Sequence, residues 1–415
     1  MNKRAKLSLF LLVVGLVFEF SPARSQSSQS PQPQPAATTR PRTVTPRPQP
    51  TTTAPATVES AQTGAAVVSV GTAGPQQQGR ISMNKIRTRT EEAVRLLKSH
   101  PSPTAITSPS LFTVTLAAFD DKTDKIHLLT IPKEIFLKKG SELTATTSLG
   151  TTAQVRIIRA NGVNTAVTVF DTMTGRSLIP LIVEYPVERG GRLHEVAYYV
   201  SVHPALVSPE VVKTGQNYVR TMIDLAAKRL KDKGVPIPSN LVDIAERLCI
   251  VEHSDHLRFR AENQKALFEE VFSLYALNEM KTYNHSVSTA GAGGMIQMIP
   301  STYQMVRRMH PGVGLNPDFV LGMRNHGNAL EAMLLYMLDT YKLLVGSEDV
   351  RNALASGHAT WPELMAAGYN SNPAKLPGYI RRGGSAWRTL IPRETQMYLV
   401  IYRSLDTLIP MKPRS

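Results

Sequence analysis

The sequence predicts an α+β protein with two domains, a small β-rich sandwich or barrel followed by a mostly helical domain. Short segments of alternating apolar and polar residues, separated by turn residues, fill positions 111–202. After Pro209 the apolar residues recur every three or four positions, the spacing of amphipathic helices. The length of 415 residues allows two or three domains.

Composition excludes several classes of protein. A hydrophobic content of 42% is too high for a wholly disordered chain. The single cysteine, Cys249, excludes an internal disulfide framework, a cysteine-rich zinc site and a cysteine-ligated iron–sulfur cluster. The formal net charge of +15 favours an anionic partner.

The first 25 residues have the pattern of a secretory signal peptide. Three basic residues within the first six positions precede an apolar run at 7–18, and the small residues Ala23 and Ser25 follow. That run is short for a membrane-spanning helix, the alternative interpretation. We therefore predict export to the periplasm, the cell wall or the outside, with no membrane span after cleavage.

A linker and a β-rich domain are predicted next. Residues 26–84 are rich in Pro, Thr and Gln and poor in large apolar residues, which predicts an extended, disordered linker. A β-rich accessory domain is assigned to residues 85–212. It opens with a capping box at Thr88–Glu91 that predicts a helix through Leu97. Five to seven strands follow, at 111–116, 155–158, 165–170, 181–185 and 196–202 among others, with turns at Asp120–Asp124 and Asn161-Gly162.

The helical domain is assigned to residues 213–415 and contains residues 275–302, the segment with the main candidate functional residues. Glu279 follows an apolar helical pattern, and burial there would raise the pKa of its carboxyl and suit it to general acid catalysis. The segment 290–294 has no bulky side chain, so a polymer could approach the backbone closely. Gln297 then offers an amide donor and acceptor between the apolar side chains of Ile296 and Met298.

These residues resemble the soluble lytic transglycosylases, relatives of goose-type lysozyme, over roughly residues 240–405. Glu279 and Ser288 keep the family's spacing of nine residues. A second element at 366–373 resembles the family's Ala-Ala-Tyr-Asn-Ala-Gly-Pro, and a third at 392–398 resembles Pro-x-x-Glu-Thr-x-x-Tyr. Further matches within the first element are Asn284, Ala290, Gly291, Ala292, Gly294, Gln297 and Pro300.

The resemblance implies a lysozyme-like fold and cleavage of the bond between N-acetylmuramic acid and N-acetylglucosamine in peptidoglycan. Glu279 would act as acid and then base, the substrate's own acetamido group would assist, and a 1,6-anhydro ring would form without water. No cofactor or metal is implied. By family position the substrate-binding residues would be Ser288, Gln297, Met298, Tyr369, Asn370 and Glu394.

Two alternatives to this function stay open, and one departure from the family favours the second of them. Met280 stands where the family has a serine that could orient the acid. The alternatives are a muramidase that uses water, and an envelope protein that binds peptidoglycan without turnover. The order of Glu252, His253, Asp255 and His256 is not that of a zinc protease, so these residues are assigned to a polar helix end. Partners would be glycan strands and other envelope proteins at the β-rich domain, and not nucleic acid.

Overall fold

The computed structural model describes residues 81–99, 111–286, 288 and 291–415. The predicted signal peptide, nearly all of the predicted linker, and Ala290 lie outside the described residues. The chain is an α+β protein, as the sequence predicts, with strands in its first half and helices in its second. No helix in the described part of the chain is both long and apolar enough to cross a membrane.

The N-terminal half is one curled antiparallel sheet, a half-barrel rather than a sandwich. The strands are β1 (Thr113–Asp120), β2 (Lys125–Pro132), β3 (Glu142–Thr146), β4 (Thr152–Arg159), β5 (Ala166–Asp171), β6 (Ser177–Arg189) and β7 (Arg192–Tyr199). Their order along the sheet is β2-β1-β6-β5-β4-β3, and β7 also pairs with the long strand β6. Both predicted hairpins are confirmed, since β1 pairs with β2 and β4 with β5; β6 and β7 form a further hairpin, which the sequence pattern did not predict.

Helix α1 (Met83–Ser99) covers one face of this sheet. Its apolar residues Met83 and Ile86 are buried against the sheet, so the helix begins five residues before the predicted capping box. That capping box was therefore a wrong prediction, because Thr88 lies inside the helix. The central strands are buried on both faces: Ala117 packs towards α1, while Leu116 faces the core shared with the helical half.

The helical half begins at Pro209, and the described residues between 81 and 415 form one compact unit. The sheet half also contains the one-turn helix α2 (Lys133–Phe136). The helices of the helical half are α3 (Pro209–Asp232), α4 (Ser239–Val251), α5 (His256–Ala261), α6 (Gln264–Asn278), α7 (Pro300–Met309), α8 (Phe319–Arg324), α9 (His326–Val345), α10 (Glu348–Ala355), α11 (Trp361–Asn370), α12 (Leu376–Gly383) and α13 (Arg393–Leu408).

Helix α6 joins the two halves. At its end, the Asn278 amide accepts a hydrogen bond from the Val200 N–H (3.0 Å) and donates one to the Val200 carbonyl (2.8 Å). Earlier in α6, Glu270 accepts hydrogen bonds from Arg159 of β4 (2.6 Å) and from Arg258 of α5 (2.9 Å). The sheet therefore helps to hold the segment that leads into residues 288–298, which we call the Gly-rich stretch.

Helices α3 and α6 cross so closely that only glycine fits at position 215. A Cβ atom there would lie 1.8 Å from the Phe272 carbonyl oxygen. We expect Gly215→Ala to lower the free energy of unfolding by about 3 kcal/mol or more, because the neighbouring atom is backbone and cannot rotate away. Gly312→Ala is the matched control, since nothing lies within 4 Å of its Cβ position. Urea unfolding measures both, and equal stabilities of the two variants would contradict the prediction.

Candidate active site

Glu252 is the residue directly after helix α4, and its carboxyl group is largely desolvated. The Tyr398 hydroxyl of α13 donates a hydrogen bond of 2.6 Å to Glu252 Oε1. Desolvation, helped by the Glu394 charge, raises the pKa of Glu252 to about 8, against the Tyr398 hydrogen bond, which lowers it. The residue as a whole is half-buried. Glu252 thus carries a carboxyl group that holds its proton at neutral pH.

His253 follows Glu252 and links the end of α4 to the Gly-rich stretch through a hydrogen bond. Its ring lies parallel to that of Tyr283, with the centroids 3.3 Å apart. Its Nε2 lies 3.1 Å from the Met295 carbonyl oxygen, a geometry that assigns the proton to Nε2. Desolvation lowers the pKa of His253 to about 3, so the ring is neutral at physiological pH.

The turn at residues 294–297 has an unusual backbone. Gly294 has a φ of +67°, and a Cβ there would lie 2.6 Å from the Met323 carbonyl oxygen. Gln297 has a φ of +45°, which costs a non-glycine residue of the order of 1–3 kcal/mol. Its Nε2 donates to the Gly294 carbonyl (2.8 Å), and the Tyr369 hydroxyl donates to the Ile296 carbonyl (2.7 Å). The turn is therefore held by one hydrogen bond within it and by a second one from a side chain of α11.

The second and third sequence elements meet at this site. Desolvation raises the pKa of Tyr369, and a charge on the nearby Glu252 adds to the effect. The Thr395 hydroxyl donates a 2.8 Å hydrogen bond to Asn370 Oδ1, which ties the end of α11 to the start of α13. Glu394 is exposed, one residue before Thr395.

Glu279, the acid expected from the sequence, has different neighbours. It ends α6 with a φ of 48°, and its side chain is 51% exposed. Oε1 accepts a 2.6 Å hydrogen bond from the Arg87 guanidinium of α1. Among the described residues, no hydrogen bond or ion pair joins Glu279 to Gln297, Tyr369 or any other predicted binding residue. Next to it, the Met280 sulfur accepts a hydrogen bond from Tyr218.

The two remaining predicted residues lie in the Gly-rich stretch and have structural contacts. Ser288 is exposed, and its hydroxyl accepts a 3.0 Å hydrogen bond from the Ala292 N–H. Met298 is 3% exposed, and its carbonyl accepts from the Gly293 N–H (3.2 Å). Met298 is thus part of the core beneath the turn.

The site therefore brings together Gln297, Tyr369, Asn370 and Glu394 with Glu252, His253 and Tyr398, which sequence reasoning did not assign to it. A signal for Glu252 was present: like Glu279, it directly follows an apolar helical run, here the one ending at Val251. Tyr398 is the last residue of the third element.

Comparisons with protein-family models, curated proteins and solved structures find nothing that matches this chain.

Proposed function

We propose that the protein is a lytic transglycosylase that cleaves peptidoglycan glycan strands, with Glu252 rather than Glu279 as its general acid and base. The observation that carries the proposal is the convergence of three sequence elements on Glu252. Tyr398 hydrogen-bonds it, Tyr369 lies in its electrostatic range, and the adjacent His253 binds the Met295 carbonyl. The lysozyme-like assignment of the helical half belongs to the same proposal.

The protonation state of Glu252 suits the first step. A carboxyl group with a pKa of about 8 carries a proton at neutral pH and can give it to the glycosidic oxygen as the bond from C1 to that oxygen breaks. The Tyr398 hydroxyl then stabilises the carboxylate that is left.

The second step returns the proton to Glu252. The muramyl acetamido oxygen stabilises the positive charge at C1, and the Glu252 carboxylate accepts the proton of the C6 hydroxyl. Bonding of O6 to C1 closes the 1,6-anhydro ring, so no water is consumed and the acid is restored. One carboxyl group is sufficient for this sequence of steps.

Two amides would hold the sugar. Within the described residues, the Gln297 nitrogen is engaged by the Gly294 carbonyl and the Ser286 hydroxyl, which leaves its oxygen for an acetamido N–H. Asn370 is the reverse case, because its oxygen is taken by Thr395 and its nitrogen is left to donate. Together they offer one acceptor and one donor, the pair that an acetamido group requires.

A hydrolytic muramidase is the second candidate, because one observation favours it. Glu394 is exposed and close enough for its charge to raise the pKa of Glu252. A second carboxylate of that kind can activate water or serve as nucleophile in two-carboxylate glycosidases. Export by the predicted signal peptide would bring either enzyme to its polymer, and the sheet half would be free to bind other envelope proteins.

Product analysis tests the proposal. Purified peptidoglycan is incubated with the full chain, and the soluble muropeptides are identified by mass spectrometry. We expect products one water lighter than those with reducing ends. Reducing-end products would show the muramidase instead. Absence of both, with the protein pelleting with the wall, would overturn the enzyme proposal in favour of a peptidoglycan-binding protein.

A further inference from the structure

Three consecutive carbonyl groups in the 294–297 turn are each held by a side chain. The Gly294 carbonyl accepts from Gln297, the Met295 carbonyl from His253, and the Ile296 carbonyl from Tyr369. We call these three hydrogen bonds the carbonyl clamp. The central bond comes from the residue directly after Glu252.

The imidazole that makes this central bond is itself fixed. Tyr283 stacks on it at an interplanar angle of 1°. Tyr283 has a φ of 62° and packs edge-on against Tyr275, whose hydroxyl donates to the Cys249 carbonyl of α4. His253 is thus linked back to helix α4 through Tyr283 and Tyr275, and these contacts leave the imidazole little freedom to rotate.

We propose that His253 is a positioning residue that sets the distance between the acid Glu252 and the sugar-binding amide of Gln297. The inference rests on the proposed function. A short bond from residue 253 to residue 295 fixes the acid and the turn relative to each other, although 42 residues separate them in the chain. Nε2 must carry a proton for this role, because a carbonyl oxygen needs a donor at that atom.

Two substitutions separate the hydrogen bond from the ring. His253→Phe keeps a flat ring for Tyr283 and removes the donor; His253→Gln removes the ring and keeps an N–H at a similar reach. We expect His253→Phe to lower kcat on soluble glycan oligomers by about 10- to 100-fold, since a misplacement near 1 Å can cost that much, with a smaller change in KM. His253→Gln should recover part of the lost kcat. His256→Phe, on the partly exposed His256, is the matched control.

A measurement without substrate tests the same proposal. Nitrogen-15 NMR of labelled histidines in the full chain should show His253 as the neutral Nε2–H form from pH 8 down to about pH 4, because its pKa is lowered to about 3. The Nδ1–H form, which offers the Met295 carbonyl no donor at Nε2, would overturn the carbonyl clamp. Thermal unfolding gives the folded fraction by which each kcat is corrected.

The outcomes separate this inference from the proposed function. If the wild type cleaves glycans and Glu252→Gln does not, but His253→Phe keeps the wild-type kcat, the positioning role is wrong and the function stands. If the wild type cleaves nothing, the proposed function fails, and the NMR form of His253 alone decides whether the clamp exists.

Discussion

Glu252→Gln is expected to reduce glycan cleavage by about a thousandfold, whereas Glu279→Gln keeps it within about threefold of the wild type. Glutamine has the size of glutamate and can still accept the Tyr398 hydrogen bond, but it has no acidic proton to give. General acid–base catalysis typically contributes 10²- to 10⁴-fold, so the loss should be of that size. The measurement is the initial rate of muropeptide release at neutral pH with equal amounts of folded enzyme.

The Glu279 variant makes this comparison decisive, because it applies the same change to the other glutamate that follows an apolar helix. Its ion pair with Arg87 is half exposed, and such pairs contribute at most about 1 kcal/mol to stability. Both variants should therefore fold. An inactive Glu279→Gln beside an active Glu252→Gln would return the acid role to Glu279 and refute our assignment.

The second large effect is on stability. We expect the free energy of unfolding of the wild type, relative to Glu252→Gln, to fall by about 3–5 kcal/mol between pH 4.5 and pH 8. In this range the folded state keeps a proton on Glu252 that the unfolded state has lost, since the folded pKa is about 8. The unfolded state binds fewer protons, so stability decreases as pH rises. Urea unfolding of both proteins at several pH values measures the difference.

Comparison with the variant removes the contribution of other buried groups. The buried histidines His203, His253 and His326 have lowered pKa values, and as bases they destabilise the fold when pH falls below their ordinary value of 6.5. They are present in both proteins and cancel. A constant difference between wild type and Glu252→Gln would show that Glu252 ionises normally.

Local patterns predicted the elements of this fold well. Alternating residues located the strands, and the Asn161-Gly162 and Asp120–Asp124 turns located two hairpins, because both signals depend only on neighbouring residues. The choice between sandwich and barrel stayed open, since it depends on which faces are covered by helices from elsewhere in the chain. The start of α1 was missed for a similar reason: Met83 is helical because it packs against the sheet.

The site shows where sequence reasoning stops. Glu252 and Glu279 each directly follow an apolar helix, so the local pattern does not distinguish them. What differs is tertiary: one carboxyl meets Tyr398, and the other meets Arg87. Tyr369 and Asn370, which the resemblance singled out, bond to the 294–297 turn and to the start of α13. We propose Glu252 rather than Glu279 as the acid, because the burial that distinguishes the two depends on residues far away in the chain.

The bond between Glu252 and Tyr398 has a consequence for how the protein is made. It closes a loop of 146 residues, which includes the whole Gly-rich stretch and helix α11. Closing so long a loop is entropically costly and is offset only when the enclosed helices pack. During synthesis, Tyr398 must have left the ribosome before its hydroxyl can meet the carboxyl. The candidate site therefore forms only after helix α13 has been made, and a chain that ends before helix α13 lacks it.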